Sequence, residues 1–411
     1  MEALLWEWLS FGLRWLHVIT GIAWIGSSFY FIALDLSLKK RDHLPHGVAG
    51  EAWQVHGGGF YNMQKYTIAP EGMPPELTWF KWESYATWIS GFFLLCTVYY
   101  AAPELFLIDE EVMALARWEA IALGIGSMVL SWLIYDALCR SPLVERTYPL
   151  LAVVFAGLGI LGWALTQVYS GRGAFIHLGA VMATIMSANV AMNIIPNQKR
   201  AVAMLLKGKT PPATYGKQAK QRSLHNNYLT LPVIFLMLSN HYPLAFATEW
   251  NWVIAILIMG MGGVIRHWFN VHHVGGKSPD WCWLVAAILF VGIMWLSEAG
   301  PKDRAEADAA IPNRETLIAS AHWPEVEEIV LSRCSMCHAA EPVWDGIARA
   351  PKDVALEEVS DILRHAATIY TQAARSRAMP PGNLTGVTAA EREVLALWYE
   401  GATGQSRTLF P

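Results

Sequence analysis

About eight apolar runs, each close to the roughly 20 residues a bilayer core requires, constrain this chain before anything else does. They cover roughly 9–36, 79–101, 118–139, 148–169, 174–195, 228–247, 250–269 and 281–297. A backbone inside lipid must satisfy its own hydrogen bonds, so runs of this length read as helices. Composition agrees: 16% of residues are charged, against about 25% in a soluble domain. Many of the 20 tryptophans, among them Trp6, Trp8, Trp79, Trp82, Trp118, Trp250, Trp252, Trp281 and Trp283, sit at run ends, where an aromatic belt lies. The expected fold is all-α, a polytopic membrane helix bundle over 1–299, with the lipid bilayer as its surroundings.

The loops between runs alternate in charge. The first opens with Lys39, Lys40 and Arg41; the third carries Arg140 and Arg146; the fifth carries Lys199, Arg200, Lys207, Lys209, Lys217, Lys220 and Arg222; the seventh carries Lys277. The second is acidic (Glu104, Asp109, Glu110, Glu111), the fourth has Arg172, and the sixth has no Lys or Arg. The positive-inside rule puts the odd loops in the cytoplasm and both termini outside. The start of the chain has no basic n-region and no small-residue cleavage site, so the first helix is expected to double as the targeting signal. The long first loop, 37–78, contains Gly57-Gly58-Gly59 between two β-prone segments and reads as a hairpin.

A charged, alanine-rich linker, 300–314, precedes a segment, 315–411, that contains Cys334-Ser-Met-Cys-His338. C-x-x-C-H is the attachment motif of haem c. Cys334 and Cys337 would form thioethers to the haem, and His338 would bind the iron as proximal ligand. Met379, in Met-Pro-Pro, is the only methionine after the motif and is the expected sixth ligand; His365 is the alternative. Thr388-Ala-Ala-Glu391 is a capping box opening a helix through Trp398. The segment resembles a class I cytochrome c domain, which carries electrons and performs no substrate chemistry. Haem c is attached on the outer side of the membrane, so this motif and the loop charges give the same topology. The remaining cysteines, Cys96, Cys139 and Cys282, read as small buried hydrophobes.

Ionisable groups within spans are costly and point to function. Under this topology His17, His177 and His241 fall toward the outer side. They read either as axial ligands of a b-type haem or as histidines hydrogen-bonded between helices. His225, Arg266, His267, His272 and His273 fall toward the inner side, with Asn189 and Asn193 on one helix face. They read either as a site for a small anionic or amide-rich molecule or as an interfacial collar. No phosphate loop, G-x-G-x-x-G or basic–aromatic stripe is present, so no nucleic-acid partner is expected.

Several stretches together resemble the bacterial membrane-bound urate oxidases (urate hydroxylases): Glu51-Ala-Trp-Gln-Val-His-Gly-Gly-Gly-Phe60, Trp79-Phe-Lys-Trp-Glu83, His225-Asn-Asn-Tyr-Leu-Thr-Leu-Pro-Val-Ile-Phe235, Ser239-Asn-His-Tyr-Pro243 and Arg266-His-Trp-Phe-Asn270. The resemblance implies oxidation of urate to 5-hydroxyisourate at the bacterial inner membrane, with electrons leaving through cytochrome c to a respiratory-chain acceptor. The chemistry needed, a base poised near neutrality and a holder for a planar anion, suits His225 and His267 as base and orienting groups and Arg266 as anion holder. A non-catalytic electron conduit, quinol- or oxidase-linked, is the alternative; a transporter with a tethered cytochrome is a third reading, for which no internal repeat speaks.

Overall fold

Helices form where the apolar runs lie. The computed structural model describes residues 2–67, 74, 76–109, 112–242, 245–246, 248–273, 277–297, 313–344, 347, 350–351, 354–375, 379–380 and 383–404. The chain divides into two units, Met1–Asn240 with Trp250–Glu298, and His241–Glu249 with Ala299–Pro411. The expected linker lies, up to residue 312, outside the described residues, as do Pro70, Glu110, Glu111 and Pro243.

In the first unit α1 (Glu2–Ser37) leads into a hairpin of β1 (Val48–His56) and β2 (Gly59–Tyr66). The antiparallel strands close at His56↔Gly59. Gly57 and Gly58 both take positive φ, +57° and +78°, as a two-residue type I′ turn requires. The hairpin is tied to the end of α1 by Lys65–Asp35 at 2.5 Å and by Tyr30 Oη donating to Gln54 Oε1 at 2.6 Å. Glu51, 3% exposed, accepts from Asn62 and pairs with Arg41 at 3.0 Å.

There follow α2 (Trp82–Leu95), continued by a π-helical turn Cys96–Tyr100; the short α3 (Pro103–Phe106); α4 (Arg117–Leu138); α5 (Thr147–Thr166); α6 (Gly171–Ala188), continued by a second π turn Asn189–Ile194 into α7 (Ile195–Leu205); α8 (Ala213–Leu238); α9 (Asn251–His273); and α10 (Trp281–Ser297). Each expected apolar run has its helix. By length and composition five stretches can cross a membrane: Trp8–Ser37, Arg117–Leu138, Thr147–Thr166, Gly171–Leu205 and Asn251–His272. α10 is shorter, at 17 residues.

Two boundaries differ from expectation. The fifth run does not end at 195 but continues helical to Leu205, and the sixth helix begins at Ala213, not near 228. Hydropathy marks lipid contact, and the first turns of α8, 213–220, are polar and largely exposed, with burial beginning at Arg222. α6 is the centre of the bundle: 56% of its most apolar window is buried, against none for α1. It packs on α2, α4, α5 and α8, while α9 packs on α8, α5 and α10. Pro232 inside α8 seats on Gly262 of α9, where a Cβ would lie 2.6 Å from Pro232 Cδ.

The second unit contains α11 (Arg314–Ile318), α12 (Trp323–Arg333), α13 (Val359–Arg364), α14 (Ala366–Ile369) with a π turn Tyr370–Arg375, and α15 (Ala389–Thr403). Val326, Ile329 and Val330 of α12, Ile362 of α13, and Leu395 and Trp398 of α15 form its core. Trp398 Nε1 donates to Leu317 O at 3.0 Å, tying α15 to α11. The capping box at Thr388 forms: Glu391 N donates to Thr388 Oγ1 at 3.1 Å and Thr388 N to Glu391 Oε2 at 2.6 Å.

Candidate functional site

α8 distributes its polar residues over several faces, each with its own partners. Toward α4 and α6, Tyr135 Oη meets His225 Nδ1 at 2.9 Å, and Asn189 Nδ2 donates to Tyr135 Oη at 3.0 Å. Arg222, 2% exposed, donates through Nη1 to Asn189 Oδ1 at 3.1 Å and through Nη2 to Asp136 Oδ1 at 2.7 Å. Asp136 also pairs with the exposed Arg140 at 2.7 Å. The Arg222 guanidinium lies over the rings of Tyr135 and Trp132, 5.0 and 5.8 Å from their centroids. His225 is fully buried, and its Nε2 has no hydrogen-bond partner.

Toward α9, Asn227 Oδ1 accepts from Asn270 Nδ2 at 2.9 Å and from Arg266 Nε at 3.4 Å. Arg266 lies 4.1 Å from the Phe29 ring centroid, so this face is closed by α1. One residue on, Tyr228 Oη meets His267 Nδ1 at 3.0 Å, with Tyr148 and Trp281 around the imidazole. The expected trio is thus divided. His225 stands with Tyr135 and Arg222, Arg266 with Asn227 and Asn270, and His267 with Tyr228.

The expected outer histidines are also apart. His17 directs Nδ1 to Thr87 O at 3.0 Å and Ser90 Oγ at 3.2 Å on α2. His177 is fully buried, with Nδ1 donating to Gly173 O at 2.8 Å and Nε2 facing Tyr100 Oη at 3.0 Å. Ser90 and Tyr100 are ten residues apart, roughly 15 Å along the helix. Both nitrogens of His177 are engaged within the protein. His241 closes the 3₁₀ turn after α8 and is exposed. Among the described residues no group of three His, Cys, Asp or Glu gathers to hold a bare metal ion.

In the second unit Cys334–His338 forms a helical turn, with His338 N donating to Cys334 O at 2.9 Å. His338 Nδ1 donates to Val354 O at 2.8 Å. That bond fixes the tautomer whose lone pair is on Nε2. Cys334 and Met379 pack against the same hydrophobic core. The segment bearing Met379 is held by its N–H to Gln372 O at 2.9 Å and by Arg392, 8% exposed. Arg392 donates to Met379 O at 2.8 Å, to Asn383 Oδ1 at 3.0 Å and to Ala373 O. Burial, with Arg364 beside it, pushes His365 down to about 4.

Sequence reasoning missed Arg222, Tyr135 and Asp136 as site residues, and Arg392 altogether. An acidic residue at the end of an apolar run, and an arginine three residues before His225, were the available signals.

Residues 3–297 match the family described as Urate oxidase N-terminal. Comparison with curated proteins and with solved structures gave no match in either case. The match spans well over half of the chain and includes every polar cluster of the helical bundle, so the chain belongs to the urate oxidase N-terminal family.

Proposed function

We propose that this protein is a bacterial plasma-membrane oxidase of urate, converting it to 5-hydroxyisourate and passing the electrons through haem c to a respiratory-chain acceptor. The reading places eight spans in the bilayer and both termini on the outer side. The balance is urate plus water giving 5-hydroxyisourate, two protons and two electrons. The observation that carries it is the continuity, in one chain, of a urate oxidase N-terminal domain with a C-x-x-C-H turn whose histidine is already oriented.

The residues of the second unit fit haem c. Cys334 and Cys337 would hold it covalently, and His338 and Met379 would ligate its iron. When bound, the group supplies a one-electron acceptor. The Nδ1–H bond from His338 to Val354 O orients the ring and raises its basicity as a ligand. Arg392 holds the Met379 segment.

In the bundle, removal of protons from urate calls for a group near neutrality, and histidine is suited to it. His225 and His267 are the candidates, with a buried arginine, Arg222 or Arg266, to meet the anion.

The test is anaerobic addition of urate to the oxidised, purified full-length protein, followed at the haem α-band. Reduction by urate alone is expected. A haem that stays oxidised with urate but is reduced by a quinol would replace this reading with that of an electron conduit.

A further inference from the structure

Between α4, the second π turn and α8, the bundle buries more hydrogen-bonding atoms than it pairs. The paired ones fix the rest. A guanidinium only donates, so Asn189 must turn its carbonyl to Arg222 and its NH₂ to Tyr135 Oη and Asn226 Oδ1. In the tautomer in which Tyr135 donates to His225 Nδ1, its oxygen accepts from Asn189. The proton of the neutral His225 ring then sits on Nε2, where no protein acceptor meets it.

Three other residues on this face are in the same condition. Arg222 Nε has no partner, nor has Asn193 Oδ1. Gln221 stands beside the Cys139 thiol, yet neither atom of its amide completes a hydrogen bond. Gln221 and Arg222 precede His225 by four and three residues on α8, so they share its face. Asn193 belongs to the same place by register. Asn189 meets Arg222 and Asn226, and Asn197 meets Gln218 at 3.1 Å. Asn193 lies midway in sequence between Asn189 and Asn197, whose partners on α8 bracket Gln221 and Arg222. Buried polar atoms are rarely left unmatched, and here they gather on facing turns of two elements.

The unmatched set has both signs. His225 Nε2, Arg222 Nε and the Gln221 amide nitrogen donate; Asn193 Oδ1 and Gln221 Oε1 accept. A phosphate or simple carboxylate would leave the two carbonyl oxygens against a negative charge. A quinone head offers acceptors only. A fused-ring lactam anion offers C=O and N–H on the same edges. Charge agrees, since Arg222 and Arg140 share the single carboxylate of Asp136, leaving one positive charge for a monoanion.

We infer that this face of α8 is the substrate pocket, in which Arg222, His225, Gln221 and Asn193 bind the edges of a planar, lactam-rich monoanion, with His225 as a hydrogen-bond donor and not as the base. The assignment rests on the urate-oxidising reading and names its site.

Gln221→Leu and Asn193→Leu test it in the haem-loaded, full-length protein. Apart from the contact of Gln221 with the Cys139 thiol, the atoms at issue make no hydrogen bond within the protein, so a structural role predicts little change in either variant, whereas a binding role predicts a selective loss of substrate. The rate of haem reduction is measured against urate concentration, alongside total dithionite-reducible haem and thermal stability. Half-saturation is expected to rise about tenfold or more in each variant, the scale of one hydrogen bond to an anion, with haem content and stability retained. Half-saturation unchanged in both would overturn the assignment, as would a rise only on replacing Arg266 or His267, which would move the site to the α9 face. If urate does not reduce the wild-type haem, it is the functional reading that fails, before the variants are compared.

Discussion

Replacing Arg392 by leucine removes a buried cation that holds the Met379 segment. The side chain is 8% exposed and donates to Ala373 O, Met379 O and Asn383 Oδ1. Truncation leaves two carbonyls and an amide oxygen without their donor, at about 1–3 kcal/mol for each atom that stays dry. Leucine returns part of this by apolar contact, and the contributions do not add fully, so a net loss of about 3 kcal/mol is expected. For a domain of this size that is a fall of roughly 12–24 °C in the unfolding midpoint. The assay is thermal unfolding of the full-length protein followed by Soret circular dichroism, with the absorption band of methionine-bound ferric haem read at low temperature. On the proposed reading that band should weaken before the fold is lost, because the segment bearing Met379 is released first. Arg392→Lys keeps the charge without the planar fork and should fall between the two. A leucine variant within about 1 kcal/mol of wild type, band intact, would refute the reasoning and make Arg392 a bystander.

Three further outcomes are expected. Met379→Ala should lower the midpoint potential of the haem, since methionine ligation raises it; an unchanged potential in a redox titration would point to His365 as the sixth ligand. His365 lies at about 4 when folded, below the unfolded imidazole near 6.5. Its neutral form therefore stabilises the second unit above pH 6.5, and up to about 3 kcal/mol is lost as pH falls through that window toward 4. In denaturant melts His365→Gln should flatten that slope. Gly262→Ala should destabilise the solubilised bundle by about 1–3 kcal/mol, because its Cβ would lie 2.6 Å from Cδ and 3.0 Å from N of Pro232, a rigid ring; an unchanged melting temperature would mean that α8 and α9 slide apart freely.

The motifs that were legible are those in which chemistry is local. Cys334–His338 and the Thr388–Glu391 box are defined by neighbours within one or two turns, and both form as their spacing implies. Gly57–Gly58 is of the same kind. What was not legible depended on which side of a helix meets lipid. Arg222 reads as one more cation of a charged loop, yet it is 2% exposed on α8, because Asp136 lies across from it on α4. No local signal couples positions 86 residues apart. The π turn Asn189–Ile194 was illegible for another reason. The i, i+4 spacing of Asn189 and Asn193 is helical in either geometry.

The expected trio failed to converge for a reason that applies to any polar run on a helix. Successive residues are rotated by about 100°, so His225-Asn226-Asn227-Tyr228 cannot serve one pocket. His225 and Asn227 are about 200° apart, and they meet α4 and α9 respectively. Arg266 and His267, rotated by the same single step on α9, meet Asn227 and Tyr228, also one step apart. The adjacent pairs thus interlock as helix–helix contacts, which uses most of their hydrogen bonds internally and leaves Asn227 Nδ2 unmatched. A pocket on α8 must instead be built from residues three and four apart. Gln218, Gln221, Arg222 and His225 are such a set, and three of the four carry buried atoms that the protein itself does not satisfy.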